Sequence, residues 1–143
     1  MLIDMRVDRV APTRVTVLLD GGSDDERAAV ARALHDRSPR GTERFETIDC
    51  VGTAGDALAC LFGASVDQRV SRATGLGTLY VANVEAMSLW LQVLFLRFLD
   101  AEGRPRVVVS TRTDLAAAAA EGSFLPNLSE RLRLVRIKLG GDG

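Results

Sequence analysis

One octapeptide carries most of the chemical suggestion in this sequence: Asp20-Gly21-Gly22-Ser23-Asp24-Asp25-Glu26-Arg27. It follows the apolar run VTVLL and precedes Ala28-Ala29-Val30-Ala31, so it reads as a turn leading from a strand into a helix. Ligands of α/β sheets bind beyond the carboxyl ends of the strands, which makes this turn the first place to look for a site. The same residues also describe a helix start. Ser23-Asp24-Asp25-Glu26 is an S-x-x-E capping box: the Ser23 hydroxyl accepts from the Glu26 amide, and the Glu26 carboxylate accepts from the Ser23 amide. Asp24 and Asp25 then complement the positive end of the helix dipole.

Other residues with chemical potential are few. His35 is the single histidine and has no second ligand at metal-site spacing, so neither zinc nor a histidine-based triad has support. It is expected to be an ordinary polar helix residue. Cys50 and Cys60 are expected to be small, half-buried apolar residues, because two cysteines cannot staple a small secreted domain. Ser110 and Thr111 end the run RVVVST and could meet an anion; the plainer reading gives them no role.

Positioning these residues requires a sheet. Apolar runs bounded by turn residues predict strands at 15–19, 45–49, 78–84, 106–110 and 132–139. Helical periodicity predicts helices at 24–37, 54–61, 87–101 and 114–121, with a short turn at 125–131. Segments 38–44 and 63–77 read as loops and 140–143 as a frayed tail. The alternation of strand and helix predicts a three-layer α/β/α domain with a five-stranded, mostly parallel sheet. Residues 1–143 read as a single domain with its core at about 14–139.

Composition narrows the function class. Apolar residues make up 47% and charged residues 26%, which excludes a disordered or fibrous chain. Eighteen lysines and arginines against nineteen acids give a net charge of -1, without the basic excess of a general nucleic-acid binder. No apolar run is long enough to span a bilayer, and the start MLIDMRVDRVAPTR is not a secretory signal. A reducing cytoplasm is the expected setting.

The stretch VTVLLDGGSDDERAAVARALHDRSPRG, followed by FETIDC, resembles the start of the AAA+ domain of sigma-54-dependent transcription activators. That family has a strand, a phosphate-binding turn GESGTGKE, a helix ending ARAIHxxSPR, and then FxxxNC. The likeness continues in order through LFG at 61–63, GTLYVANVEAM at 77–87, LQVLFLRFLD at 91–100, STRTDL at 110–115 and FLPNLSERL at 124–132.

The resemblance implies a nucleotide-binding scaffold whose chemistry has been replaced. A phosphate loop needs glycines, so that amides can close around phosphate, and a lysine for the terminal phosphates. Here Asp24 and Glu26 match the two later glycines and Arg27 matches the lysine, leaving only Gly21 and Ser23 in pattern. Each carboxylate about 4 Å from phosphate would cost about 1–4 kcal/mol. The family's Asp-Glu pair at the end of the third strand, for magnesium and for the attacking water, is matched by Ala82 and Asn83. Alanine offers magnesium no oxygen and an amide is no base. Glu85, two residues on, is expected to be a surface glutamate. The sensor asparagine is matched by Arg112, the first arginine-finger position by Leu125 and the second by Arg131, here expected to be a surface ion-pairing residue. The sigma-54-gripping GAFTGA loop is replaced by ASVDQRVSRATGLG, and the helical lid is expected to be absent.

Helix 87–101 carries more apolar surface than one buried stripe needs. Leu91, Phe95, Phe98 and Leu99 form one stripe, Leu89, Val93 and Leu96 a second, and Trp90 with Leu94 a third. In the family the positions of Trp90 and Leu94 are typically smaller or polar, so these two are expected to anchor a protein partner.

The expectation is a non-catalytic, cofactor-free AAA+-like module that contacts proteins in bacterial transcription control or signalling. It would act as a monomer or dimer, with another regulator or itself as partner and no direct contact to nucleic acid or membrane. One alternative is a divergent ATPase holding ATP and magnesium weakly through Gly21, Ser23 and Arg27. Another is a pseudo-receiver, in which Asp20, Asp24, Asp25, Ser110, Thr111 and Lys138 mimic an acidic pocket, a threonine and a lysine. Strand order separates these: the AAA+ pattern places the first strand between the fourth and fifth, a receiver between the second and third.

Overall fold

A computed structural model describes residues 2–52 and 76–140, together with Gly55, Ala59 and Phe62. Its strands are β1 (Val17–Gly21), β2 (Arg44–Asp49), β3 (Leu76–Ala82), β4 (Arg106–Thr111) and β5 (Arg136–Leu139). Among the described residues its helices are α1 (Leu2–Val10), α2 (Asp24–Asp36), α3 (Leu89–Asp100), α4 (Leu115–Glu121) and α5 (Pro126–Leu132), with a 3₁₀ turn at Val84–Ala86. The sheet order is β2-β3-β4-β1-β5 and every pairing is parallel. The first strand therefore lies between the fourth and fifth, which rules out the receiver alternative.

Alternation along the central strands builds two cores. Val17 and Leu19 of β1, Tyr80 of β3, Val108 of β4 and Ile137 of β5 face α1 and α2, where Val7, Ala11, Ala31 and Leu34 meet them. Leu18, Leu79, Val81, Val107 and Val109 face the opposite way, against Phe95 and Phe98 of α3, Leu115 of α4 and Leu128 and Leu132 of α5. Strands covered on both faces read as unbroken apolar runs for this reason. Each fully buried leucine or phenylalanine contributes about 1.5–3 kcal/mol of transfer free energy.

The structure departs from the expected elements at several points. α1 was not expected. Its last turn is held by Arg106, wholly buried, which donates to the carbonyls of Val10 (2.8 Å), Ala11 (3.0 Å) and Val15 (3.3 Å). The carbonyls of Val10 and Ala11 are ones that a helix end leaves without intrahelical partners, and that of Val15 lies in the approach to β1. Burial without a carboxylate pushes the Arg106 guanidinium down to about 10. β1 is shifted two residues toward the carboxyl end of its expected span. β3 is shifted two residues the other way, beginning at Leu76 and stopping at Ala82, because Asn83 turns left-handed (φ 58°). The segment expected to open the fifth strand is the end of α5, which Pro126 starts at a position needing no amide hydrogen. Gly55, Ala59 and Phe62 are helical, while Cys60 and the rest of 54–61, residues 63–75 and residues 141–143 lie outside the described residues. Phe62 packs on Phe95 at 4.9 Å between ring centroids.

Candidate functional site

The Asp20–Arg27 turn leaves the middle of the sheet and enters α2, as expected, and its capping box is formed. The Ser23 amide donates to Glu26 Oε1 at 2.7 Å and the Glu26 amide to Ser23 Oγ at 3.1 Å. Arg27 folds back over the turn, almost wholly buried at 4% exposure. Its Nη1 donates to the carbonyls of Gly21 (2.8 Å) and Gly22 (2.7 Å), and its Nη2 pairs with Asp24. Its Nε is buried and has no protein partner. The turn is also closed from β5. Gly21, at φ +77°, lies so near the Leu139 carbonyl that a Cβ would stand 2.2 Å from its oxygen. A Cβ on Gly140 would stand 2.6 Å from Gly22 Cα, so Gly140 is packed on the turn where a frayed residue was expected. Only glycine allows these approaches. The side chains of Ser23, Glu26 and Arg27 satisfy amides and carbonyls that a bound anion or water would otherwise meet.

A second cluster occupies the ends of β2, β3 and β4. Asn83 follows Ala82 and is buried; its amide donates to Ser110 Oγ at 3.1 Å and its Nδ2 to Asp49 Oδ1 at 2.9 Å. Its Oδ1 is buried without a partner. Glu85, expected on the surface, is largely covered, with its side chain 12% exposed. It accepts from the Thr111 hydroxyl (3.1 Å), the Arg112 amide (3.3 Å) and Arg112 Nε (2.7 Å). That carboxylate holds the Arg112 guanidinium above its ordinary value. Ser110 and Thr111 thus have internal partners. Cys50 is buried beside this cluster; desolvation first, then the charges of Asp49 and Glu85, push its thiol up to about 12. Such a thiol stays protonated and unreactive at neutral pH. Groups of histidine, cysteine, aspartate and glutamate able to hold a metal ion are absent among the described residues.

His35 also departs from its expected role. It is fully buried, its Nε2 donating to the Glu43 carbonyl and its Nδ1 bonded to the Thr78 hydroxyl, both at 2.8 Å. It fastens α2 to β3 from within.

The interaction residues are scattered. Trp90 is 61% exposed, whereas Leu94 is half-buried and packs against the core. The apolar strip that α3 shows to solvent is Leu89, Trp90 and Val93, a helical i, i+1, i+4 set. Arg131 lies on α5, away from both; it pairs with Asp100 at 2.8 Å and donates to the Leu99 carbonyl, capping the end of α3. The Glu85–Arg112 pair and the burial of His35 gave no local sequence signal, since their partners lie 27 and 43 residues away.

Among the described residues no helix is long and apolar enough to cross a membrane. Comparison with known proteins agrees with the topology. The chain is similar to the transcriptional regulatory protein GlrR of Escherichia coli (strain K12), 32% identical over 91% of this chain and 34% of that protein. It is similar also to the C4-dicarboxylate transport transcriptional regulatory protein DctD of Rhizobium meliloti, 33% identical over 91% of this chain and 33% of that protein. It thus spans about a third of the length of these relatives. NtrX from Brucella abortus, solved in complex with ATP, superposes with a TM-score of 0.80 at 28% identity, covering 96% of this chain and 36% of that one. The P-loop NTPase domain of a sigma-54 activator from E. coli superposes with a TM-score of 0.71 at 20% identity, over 99% of this chain and 94% of that one. At that identity the likeness establishes the P-loop NTPase fold. The family model described as the Sigma-54 interaction domain matches residues 3–138, and the chain belongs to that family.

Proposed function

We propose that this domain is a non-catalytic member of its family, acting through protein contacts in bacterial transcription control. One observation carries the reading: the turn that would cradle phosphate is filled by its own side chains. Arg27, at the position of the family's lysine, is spent on the Gly21 and Gly22 carbonyls and on Asp24. Glu26 and Ser23 cap each other, and Asp24, Asp25 and Glu26 oppose any incoming anion. At the end of β3 the Ala82-Asn83 pair supplies neither a magnesium ligand nor a base, and the nearby carboxylate of Glu85 is bound to Arg112. The degenerate phosphate loop and strand end support the absence of ATP turnover together.

The working surface is the exposed strip of α3 centred on Trp90, with Leu89 and Val93 beside it. The partner is a protein, another regulator or a second copy, and the domain is a cytoplasmic monomer or dimer. Titration calorimetry with Mg-ATP, paired with a phosphate-release assay, tests the first part; no saturable heat and no release are expected. Trp90→Ala should abolish partner capture or self-association while leaving the melting temperature within a few degrees. Unchanged association would reject the surface.

A specific observation favours a second reading. The buried Arg27 Nε is a donor without a protein acceptor, and a weakly bound nucleotide phosphate could meet it. Micromolar affinity for Mg-ATP would establish that reading in place of the first.

A further inference from the structure

A cavity of about 270 Å³ opens at the carboxyl edge, on the sheet face opposite α2. Leu18 belongs to the core under α4 and α5, while Leu19, Ile137 and Leu139 belong to the core under α2. Strand alternation therefore puts Asp20, Arg136 and Lys138 on the α4 and α5 face with Leu18. Register agrees, with Asp20 lying between Thr111 of β4 and Lys138 of β5. The β4–α4 loop and Arg133, which caps the end of α5, complete the walls.

Charge in this cavity is unbalanced. Arg112, Arg133, Arg136 and Lys138 line it, against the carboxylates of Asp20 and Asp114. Both carboxylates are engaged: Asp20 Oδ2 pairs with Arg136 Nε at 3.4 Å, and Asp114 Oδ1 accepts from the amides of Ala116 (2.9 Å) and Ala117 (3.3 Å). Arg112 is held by Glu85, outside the cavity. The Arg133 guanidinium donates to the Ser129 hydroxyl (3.2 Å), and Arg133 and Lys138 bring positive charge that no carboxylate among the described residues meets. On the inner wall, Asp20 Oδ1 is buried and has no donor. A buried acceptor left unpaired is costly, and it calls for a hydroxyl or amine at that point. No lining residue is aromatic, so the cavity offers no platform on which a base would stack.

From these features we infer a binding site for a small phosphorylated polyol of the sugar-phosphate class. Its phosphate lies against Arg133 and Lys138, and one hydroxyl donates to Asp20 Oδ1. The volume, room for about nine waters, suits a pentose phosphate. The cavity shares Asp20 and Gly21 with the β1–α2 turn but opens on the opposite face of the sheet, away from Ser23–Arg27, and this inference does not rest on the proposed function.

Calorimetric titration of the whole chain with ribose 5-phosphate, inorganic phosphate and ribose tests it, with amide shifts followed by NMR. Saturable one-to-one binding of ribose 5-phosphate is expected, about tenfold weaker for phosphate and absent for ribose. Shifts should gather at Thr111–Asp114 and Arg136–Lys138. The double variant Arg133→Ala, Lys138→Ala should lose about tenfold or more in affinity; both changed residues are solvent-facing, and a circular dichroism melt verifies folding. Lys138→Ala alone, on the edge strand, gives the same direction if the double variant is unstable. No saturable binding, equal affinity for phosphate and ribose 5-phosphate, or unchanged affinity in the variants would overturn the inference. Shifts confined to Ser23–Arg27 would overturn it and the non-catalytic reading together, whereas absence of binding leaves that reading intact.

Discussion

Two arginine-bearing regions flank the end of β1, and they have opposite fates. On the α2 side, Arg27 is buried and its guanidinium is bound by carbonyls and a carboxylate of its own turn. On the α4 and α5 side, Arg133 and Lys138 face an open cavity without carboxylate partners among the described residues. The difference teaches that a cation beside such a turn can be taken up by groups of the turn itself. What matters is whether local carboxylates and carbonyls reach the cation first. Asp24, three residues before Arg27 on the same helix face, is close enough to do so.

Substitutions can break or sharpen this contrast. The largest effect is expected for Arg27→Ala, which removes an almost wholly buried side chain and leaves two part-buried carbonyls without their donor, and should cost about 2–4 kcal/mol in urea unfolding. A loss under about 0.5 kcal/mol would mean that the turn is not held by Arg27. Next comes His35→Leu, also on the closed side. It leaves the Glu43 carbonyl and the Thr78 hydroxyl without their partner and should cost about 2 kcal/mol. Ser23→Ala removes one half of the capping box and should cost about 1 kcal/mol, whereas Ser23→Asp should be close to neutral. The smallest effect is expected on the open side. Lys138→Ala should change stability by less than about 0.5 kcal/mol, because that side chain is solvated and has no salt bridge to lose.

Legibility in the sequence followed the range of each interaction. The capping box, the alternation of five strands with helices and the buried stripe of α3 are local patterns, and all appear in the structure, whereas the strand order was an expectation from the family resemblance alone. α1 was illegible because its anchor, Arg106, lies 95 positions from Ala11 in sequence. An arginine near the start of a strand carries no mark of being wholly buried. Glu85 looked like surface for the same reason, its partner Arg112 being 27 positions away, just past the end of β4. Trp90 and Leu94 look alike as apolar excess on one helix, yet a small rotation about the axis separates them. Trp90 faces solvent while Leu94 rests on the core. Periodicity places a residue on a helix; the neighbouring elements decide whether its face is covered.

The state of the β1–α2 turn in the presence of nucleotide separates a closed turn from a phosphate site. A crystal structure of the chain grown with excess Mg-ATP measures it. The expected result is an unchanged turn, with Arg27 on the Gly21 and Gly22 carbonyls, Ser23 capped by Glu26, and no nucleotide beside them. Adenine nucleotide seated with its phosphates on the amides of Gly22–Arg27, and Arg27 swung away from those carbonyls, would contradict the account.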